Sequence, residues 1–230
     1  RLDIYAPAGA QGLPVLLFVH GGGFVMGDKA ADGWANGAVG RWAAQMGMVG
    51  VVMNYRLAPA HTWPAGAQDV GAAIDWLRAH VGAHGGDPAR IVAMGTSAGA
   101  VHVAGHLHAR PDHGQALRGA VLLSGLYGYT PLDPKDERYY GGPADYAARM
   151  PREGVAATTL PLLLACAQYD PPRFQSEFVS LLAERLERHG ALPAGHIANG
   201  HNHYSMAMHI GTSDTRLSGE IAAFVARCCG

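Results

Sequence analysis

Short apolar runs alternate with stretches of helical period from one end of this chain to the other, and that alternation narrows the possible folds most sharply. Pro14-Val15-Leu16-Leu17-Phe18-Val19 contains no polar side chain and stops at a glycine cluster, the pattern of a strand buried on both faces. Met48-Val49-Gly50-Val51-Val52-Met53, Arg90-Ile91-Val92-Ala93-Met94, Ala120-Val121-Leu122-Leu123 and residues 160–167 repeat it. Between them, Val39, Trp42, Ala43 and Met46 recur at helical spacing, as do Val70, Ala73, Ile74, Leu77 and Val81. Phe178, Leu181, Leu182 and Leu186 mark a third helix, and Leu217, Ile221, Phe224 and Val225 a fourth. Alternation of this kind predicts an α/β fold, a mostly parallel central sheet with helices on both faces. With 230 residues, 49% of them hydrophobic, the chain reads as a single domain, 1–230, with its own core. Residues 127–159 break the pattern: they are polar and turn-rich, carry no clear period, and are expected to form an irregular, cap-like segment.

Several function classes are disfavoured at this level. A formal net charge of −1 leaves no basic footprint for nucleic acid or an anionic membrane surface. The longest apolar stretches run to about 6–8 residues, against the ~18 that a membrane helix needs. Cys166, Cys228 and Cys229 are too few for a disulfide framework and lack the CxxC spacing of a zinc site. Cys166 reads as a small buried hydrophobe. Without a signal-like start the protein is expected to be cytoplasmic. Because the chain opens at Arg1 in what reads as a strand, part of the natural N-terminus is expected to be absent.

Three motifs carry chemistry. Gly95-Thr96-Ser97-Ala98-Gly99 follows a predicted strand and opens a helical stretch. A G-x-S-x-G in that setting makes a sharp strand-to-helix turn that lifts the Ser97 hydroxyl clear of the sheet, with a helix dipole behind it. The bland alternative is a glycine turn with an N-cap serine. His20-Gly21-Gly22-Gly23-Phe24 closes the first long strand, and its glycines let backbone amides approach a substrate carbonyl as oxyanion donors. A flexible hairpin loop is the competing reading. The third motif is an order of acid and base. Asp170 lies just past a strand end, at the sheet edge where α/β sites assemble, and Gly200-His201-Asn202-His203-Tyr204 sits in a predicted loop before the last helix. The order Ser, Asp, His is that of α/β-hydrolases and differs from the orders of chymotrypsin and subtilisin.

These motifs, with Asn54-Tyr55-Arg56-Leu57-Ala58-Pro59 and Gly86-Asp87-Pro88-Ala89-Arg90-Ile91, resemble the hormone-sensitive-lipase-like carboxylesterases of the α/β-hydrolase superfamily. The resemblance runs from about residue 14 to 110 and resumes around Asp170 and His203. It implies Ser97 as nucleophile, Asp170 as acid, a C-terminal histidine as base, and oxyanion amides from Gly22, Gly23 and Ala98. The family's base usually precedes an aromatic residue, which favours His203, followed by Tyr204, over His201. The implied reaction is cofactor-free hydrolysis of a small-molecule ester through an acyl-enzyme. Two departures bear on the substrate. The chain is shorter than usual at its N-terminus, where the family often carries cap helices, and residues 127–159 are smaller than a full lid. A reduced or absent cap, a small pocket and short acyl chains are therefore expected.

Other readings stay open. On the same triad the chain would be an amidase or arylformamidase, a loop that commonly ends His-Gly-Gly-x-Trp where this chain has Phe24. A non-catalytic ligand-binding member, such as the gibberellin receptors, lacks the base histidine that is present here. His201 and His203 in an H-x-H pair suit a metal only with further ligands, and no matching acid or cysteine cluster accompanies them. Asp133, Asp136, Glu137 and Asp145 compete with Asp170, but none follows a strand. Asp69 reads as an N-cap or ion-pair partner, and His20 as a brace for the glycine loop. His102, His106 and His108 read as exposed or core residues. Phe24, Tyr127 and Tyr204 are candidates to line an acyl pocket, and each is equally readable as core or rim. Hydrophobic edge segments are compatible with a homodimer.

Overall fold

The computed structural model describes residues 1–30 and 35–230. Seven strands, β1 (Leu2–Tyr5), β2 (Leu13–Val19), β3 (Val49–Met53), β4 (Gly86–Thr96), β5 (Gly119–Leu123), β6 (Leu162–Tyr169) and β7 (Ala194–Asn202), form one sheet in the order β1-β3-β2-β4-β5-β6-β7. Only β1 runs antiparallel to its neighbour; the other pairs are parallel. The long helices are α1 (Asn36–Gln45), α2 (Ala65–His80), α3 (Ala98–Ala109), α7 (Pro172–His189) and α9 (Arg216–Cys229). Shorter ones are α4 (Pro134–Tyr140), α5 (Tyr146–Arg149), α6 (Arg152–Ala157) and α8 (Ser205–Met208). No described helix is long and apolar enough to cross a membrane.

The two-residue period of β2 explains its unbroken apolar sequence. Val15, Leu17 and Val19 join the core under α2 and α3, with Ile74, Leu77 and Val103. Leu16 and Phe18 point the other way, into the core under α1 and α9, with Trp42, Ile221 and Phe224. Both faces are covered, so no position is left for a polar side chain. Each Leu, Ile or Phe buried this fully contributes roughly 1.5–3 kcal/mol.

Parallel pairing places the C-terminal ends of β2, β4, β5, β6 and β7 along one rim. His20, Ser97, Ser124, Asp170 and His203 are each close behind the last residue of one of these strands. A crevice outside the strand ends of an open α/β sheet is where such folds bind ligands.

The irregular loop expected over residues 127–159 is instead a set of short helices. Asp133 caps α4 by accepting from the Lys135 N–H at 3.1 Å, Pro134 occupies its first position, and Gly141 at φ 87° ends it. α4, α5 and α6 contain 7, 4 and 6 residues, too few turns for a 3.6-residue period to show. The segment is tied down through α7. Arg185 donates to the carbonyls of Val155 and Thr158 at 2.6 and 3.1 Å, and Arg152 binds the buried Glu177 carboxylate at 2.5 Å.

Behind the turn at Ser97, two imidazoles of α3 are sunk into α2. A Cβ on Gly66 would lie 2.2 Å from the His102 ring, and one on Gly71 3.1 Å from His106 Nδ1, so small residues on α2 make the space. His102 and His106 are buried, while His108 is exposed. Burial lowers their pKa values, to about 3 for His102 and about 4 for His106. The unfolded chain takes up these protons near pH 6.5 and the folded one does not. Their contribution to stability is thus intact above about pH 6.5 and falls as the pH drops toward the folded values, by about 2 kcal/mol each at pH 5. Guanidinium melts at pH 7 and pH 5 are expected to show that loss, and His106→Gln to remove about half of it. A stability independent of pH over this range would contradict the assignment.

Candidate active site

Ser97 stands between β4 and α3 at φ 52°, ψ −121°, a left-handed conformation rare for a residue with a side chain. Its glycines are required by close approach. A Cβ on Gly95 would lie 2.4 Å from the Gly99 carbonyl carbon, and one on Gly99 2.0 Å from the Val19 oxygen. The turn is held by the Ser97 N–H donating to the Leu123 carbonyl at 2.8 Å.

Asp170 follows β6 and is 3% exposed. Its Oδ1 accepts from His203 Nδ1 at 2.6 Å. Because a carboxylate only accepts, Nδ1 carries the proton, and Nε2 is left to accept from the Ser97 hydroxyl at 2.9 Å. On its other oxygen, Oδ2, Asp170 accepts from Ser124 Oγ at 2.5 Å, the Ala167 N–H at 2.8 Å and the Cys166 thiol at 3.2 Å. Burial alone pushes this carboxyl up. The donors from His203, Ser124, Ala167 and Cys166 together outweigh it and hold the group below its usual pKa. The ring of Phe174 packs 4.3 Å from the His203 imidazole and limits its rotation.

The glycine loop after β2 turns tightly, with Gly22, Gly23 and Phe24 at φ 134°, 56° and 68°. Gly22 accepts from the Val25 and Met26 N–H groups, both at 3.2 Å, and a Cβ there would lie 1.9 Å from the Met26 oxygen. His20 braces the loop: Nδ1 donates to the Gly21 carbonyl at 2.7 Å and the ring stacks on Tyr55 at 4.6 Å. Among the described residues, the N–H groups of Gly22, Gly23 and Ala98 have no acceptor. All three residues line one cavity of about 740 Å³, with Ser97 and His203. Ala98 opens α3, so its N–H also lies at the positive end of the helix dipole.

The structure therefore brings Ser97, Asp170, His203, Gly22, Gly23 and Ala98 to one place, and sorts the remaining candidates. Phe24 lines the cavity and stacks on Tyr139 at 4.4 Å, and Tyr204 stands exposed at the rim. Tyr127 does not line it. This residue is 3% exposed and belongs to the core with Leu122, Leu164 and Leu181, because the chain turns inward after β5. His201 pairs with Asp214 at 3.0 Å and with Ser205 Oγ at 3.2 Å rather than with Ser97 or Asp170. Of the loop expected around residues 200–204, residues 200–202 are in fact the end of β7, an edge strand too exposed to show an apolar run, while His203 and Tyr204 form the turn that follows it. Asp136 and Asp145 pair with Arg173 and Arg149, and Asp69, inside α2 rather than at its cap, with Arg56. The cavity exceeds the small pocket expected. Leu132, Tyr140 and Met150 of the 127–159 segment wall one side, and Val101 and Leu126 face it too.

Sequence reasoning did not single out Ser124 or Phe174, and it read Cys166 only as a small buried hydrophobe. Ser124 had an available signal, since it follows an apolar strand just as Asp170 does. Cys166 and Phe174 had none beyond proximity to Asp170.

A mostly parallel sheet carrying a strained serine, a histidine and a carboxylate in that linkage along its C-terminal rim is the architecture of the α/β-hydrolase fold. The family model described as BD-FAE matches residues 2–117, half of the chain. The chain belongs to that family. Esterase LipC of Mycobacterium tuberculosis is 47% identical over 96 residues, 42% of this chain and 22% of LipC. The match thus spans only about a quarter of the first curated relatives' length, 22% to 29%. Solved structures extend the likeness over the whole fold. The esterase of the archaeon Pyrobaculum calidifontis covers 100% of this chain and 80% of its own, with TM-score 0.81 and 24% identity. EstE1, a thermostable carboxylesterase from a metagenomic library, covers 100% and 84%, with TM-score 0.83 and 23% identity.

Proposed function

We propose that this protein is a serine carboxylesterase that hydrolyses short-chain acyl esters through an acyl-enzyme on Ser97. The observation that carries the reading is the continuous linkage from Ser97 Oγ to His203 Nε2 (2.9 Å) and from His203 Nδ1 to Asp170 Oδ1 (2.6 Å), opening on a cavity. His203 takes the Ser97 proton as the hydroxyl oxygen attacks the ester carbonyl carbon. The carbonyl oxygen gains negative charge among the N–H groups of Gly22, Gly23 and Ala98, which have no competing acceptor among the described residues. His203 then protonates the departing alcohol, leaving the acyl group on Ser97. A water molecule deprotonated by the same imidazole attacks the acyl carbon, and Ser97 leaves with the proton restored. Asp170 holds the tautomer and stabilises the imidazolium in both steps.

A cavity of about 740 Å³ has to receive both the acyl and the alcohol parts of the ester. On the acyl side the aromatic ring of Phe24, immobilised between Tyr139 and the edge of His102 (5.4 Å), restricts length. In a panel of p-nitrophenyl esters from acetate to palmitate, kcat/KM is expected to peak among the short chains. A maximum beyond about ten carbons would refute the length preference while leaving the esterase reading intact. Matched anilides test the chemistry, and a kcat/KM for amides above that for esters would favour an amidase.

A further inference from the structure

We infer that Ser124 is a positioning residue of this site: its hydroxyl ties down one oxygen of Asp170 so that the other is presented to His203. The inference rests on reading Ser97, Asp170 and His203 as the reacting set. Ser124 directly follows β5, beside the strand that leads into Ser97, and its backbone sits at φ 46°. A plain turn at that angle is better served by glycine or asparagine, and strained residues persist where the surroundings enforce them. Here the enforcement is visible. The Ser124 N–H donates to the Ala165 carbonyl at 2.8 Å, and the side chain, 3% exposed, reaches across to Asp170 Oδ2 at 2.5 Å.

The geometry gives the two carboxylate oxygens different duties. Oδ2 accepts from Ser124, the Ala167 N–H and the Cys166 thiol; Oδ1 accepts from His203. The thiol remains a donor, since burial and then the neighbouring carboxylate push its ionisation up. With Oδ2 held on three sides the carboxylate cannot rotate, and the Nδ1 proton of His203 has one fixed acceptor. The titratable groups facing Asp170 are His203, beyond β7, and Cys166 on β6. Met206 Sδ, 3.8 Å from Ser124 Oγ, closes the remaining side without charge.

The test compares Ser124→Ala, Ser124→Gly and Ser124→Cys with the native protein. Glycine accepts the backbone conformation freely, so it yields a folded protein without the hydroxyl even where alanine does not. Loss of a hydrogen bond to a charged group is expected to lower kcat on p-nitrophenyl acetate by about 10- to 100-fold, with KM within about twofold. The acid-side fall of kcat is expected to move to higher pH, because the carboxyl has lost a donor that favours its charged form. Cysteine, a weak donor of similar size, is expected to fall between native and alanine. A substrate-free arm records the proton NMR resonance of the His203 Nδ1 proton, expected to shift in the alanine and glycine variants. Folded alanine and glycine variants with native kcat, native pH profile and an unmoved resonance would overturn the inference. A native protein inactive on every ester would sink the esterase reading instead, and the NMR arm would still decide the role of Ser124.

Discussion

Replacing Ser97 by alanine is expected to lower hydrolysis of p-nitrophenyl acetate by at least about 10⁴-fold, with the thermal midpoint nearly unchanged. Every turnover in the proposed cycle forms and breaks a bond to Ser97 Oγ, so no part of the flux bypasses it. What remains is the polarisation of the carbonyl by the N–H groups of Gly22, Gly23 and Ala98, which the substitution leaves in place. The backbone at φ 52° is equally strained with serine or alanine, so the fold has no reason to change. Purified enzyme assayed at a fixed ester concentration, with a parallel melting curve, measures both. Turnover within tenfold of native would remove Ser97 from the chemistry.

Asp170→Asn is expected to cost a comparable amount, about 10⁴-fold in kcat, through the tautomer rather than the charge alone. Ser124, the Ala167 N–H and Cys166 all donate toward Oδ2, so an amide placed here turns its carbonyl oxygen to them. Its NH₂ group then faces His203 Nδ1. Two donors cannot share that 2.6 Å approach, so Nδ1 becomes the acceptor and the ring proton moves to Nε2. There it points at Ser97, and the imidazole can no longer take the hydroxyl proton. KM is expected to change little, because Asp170 does not line the cavity. A variant retaining more than a tenth of native kcat would show that the tautomer is set elsewhere.

The parts legible in the sequence were those written locally. A strand buried on both faces must be apolar throughout, so β2, β3, β5 and β6 announced themselves. Ser97 was legible because its turn needs glycine on both sides, at Gly95 and Gly99. Asp170 was legible because a strand end is a position as well as a composition. What stayed hidden depends on packing between distant segments. β7 is an edge strand in which, of nine residues, Ala198 and His201 are buried and the others exposed or half-buried, so its sequence resembles a loop. The short helices α4 to α6 draw their order from capping at Asp133 and from Arg185 and Arg152, not from an amphipathic period. Tyr127 looked like a pocket residue from its aromatic character, and only the inward turn of the chain after β5 makes it core. Ser124 meets Asp170 across 46 residues of sequence, a pairing no local pattern encodes.

The central claim is that one hydroxyl, activated by one imidazole, carries the acyl group. Treating the protein with a fluorophosphonate and mapping the adduct by peptide mass spectrometry tests it most directly. A single adduct on Ser97, rising in step with the loss of ester hydrolysis and absent from His203→Ala under the same conditions, is the expected result. Esterase activity that persists with Ser97 fully modified, or an inactivating adduct on another residue, would contradict it.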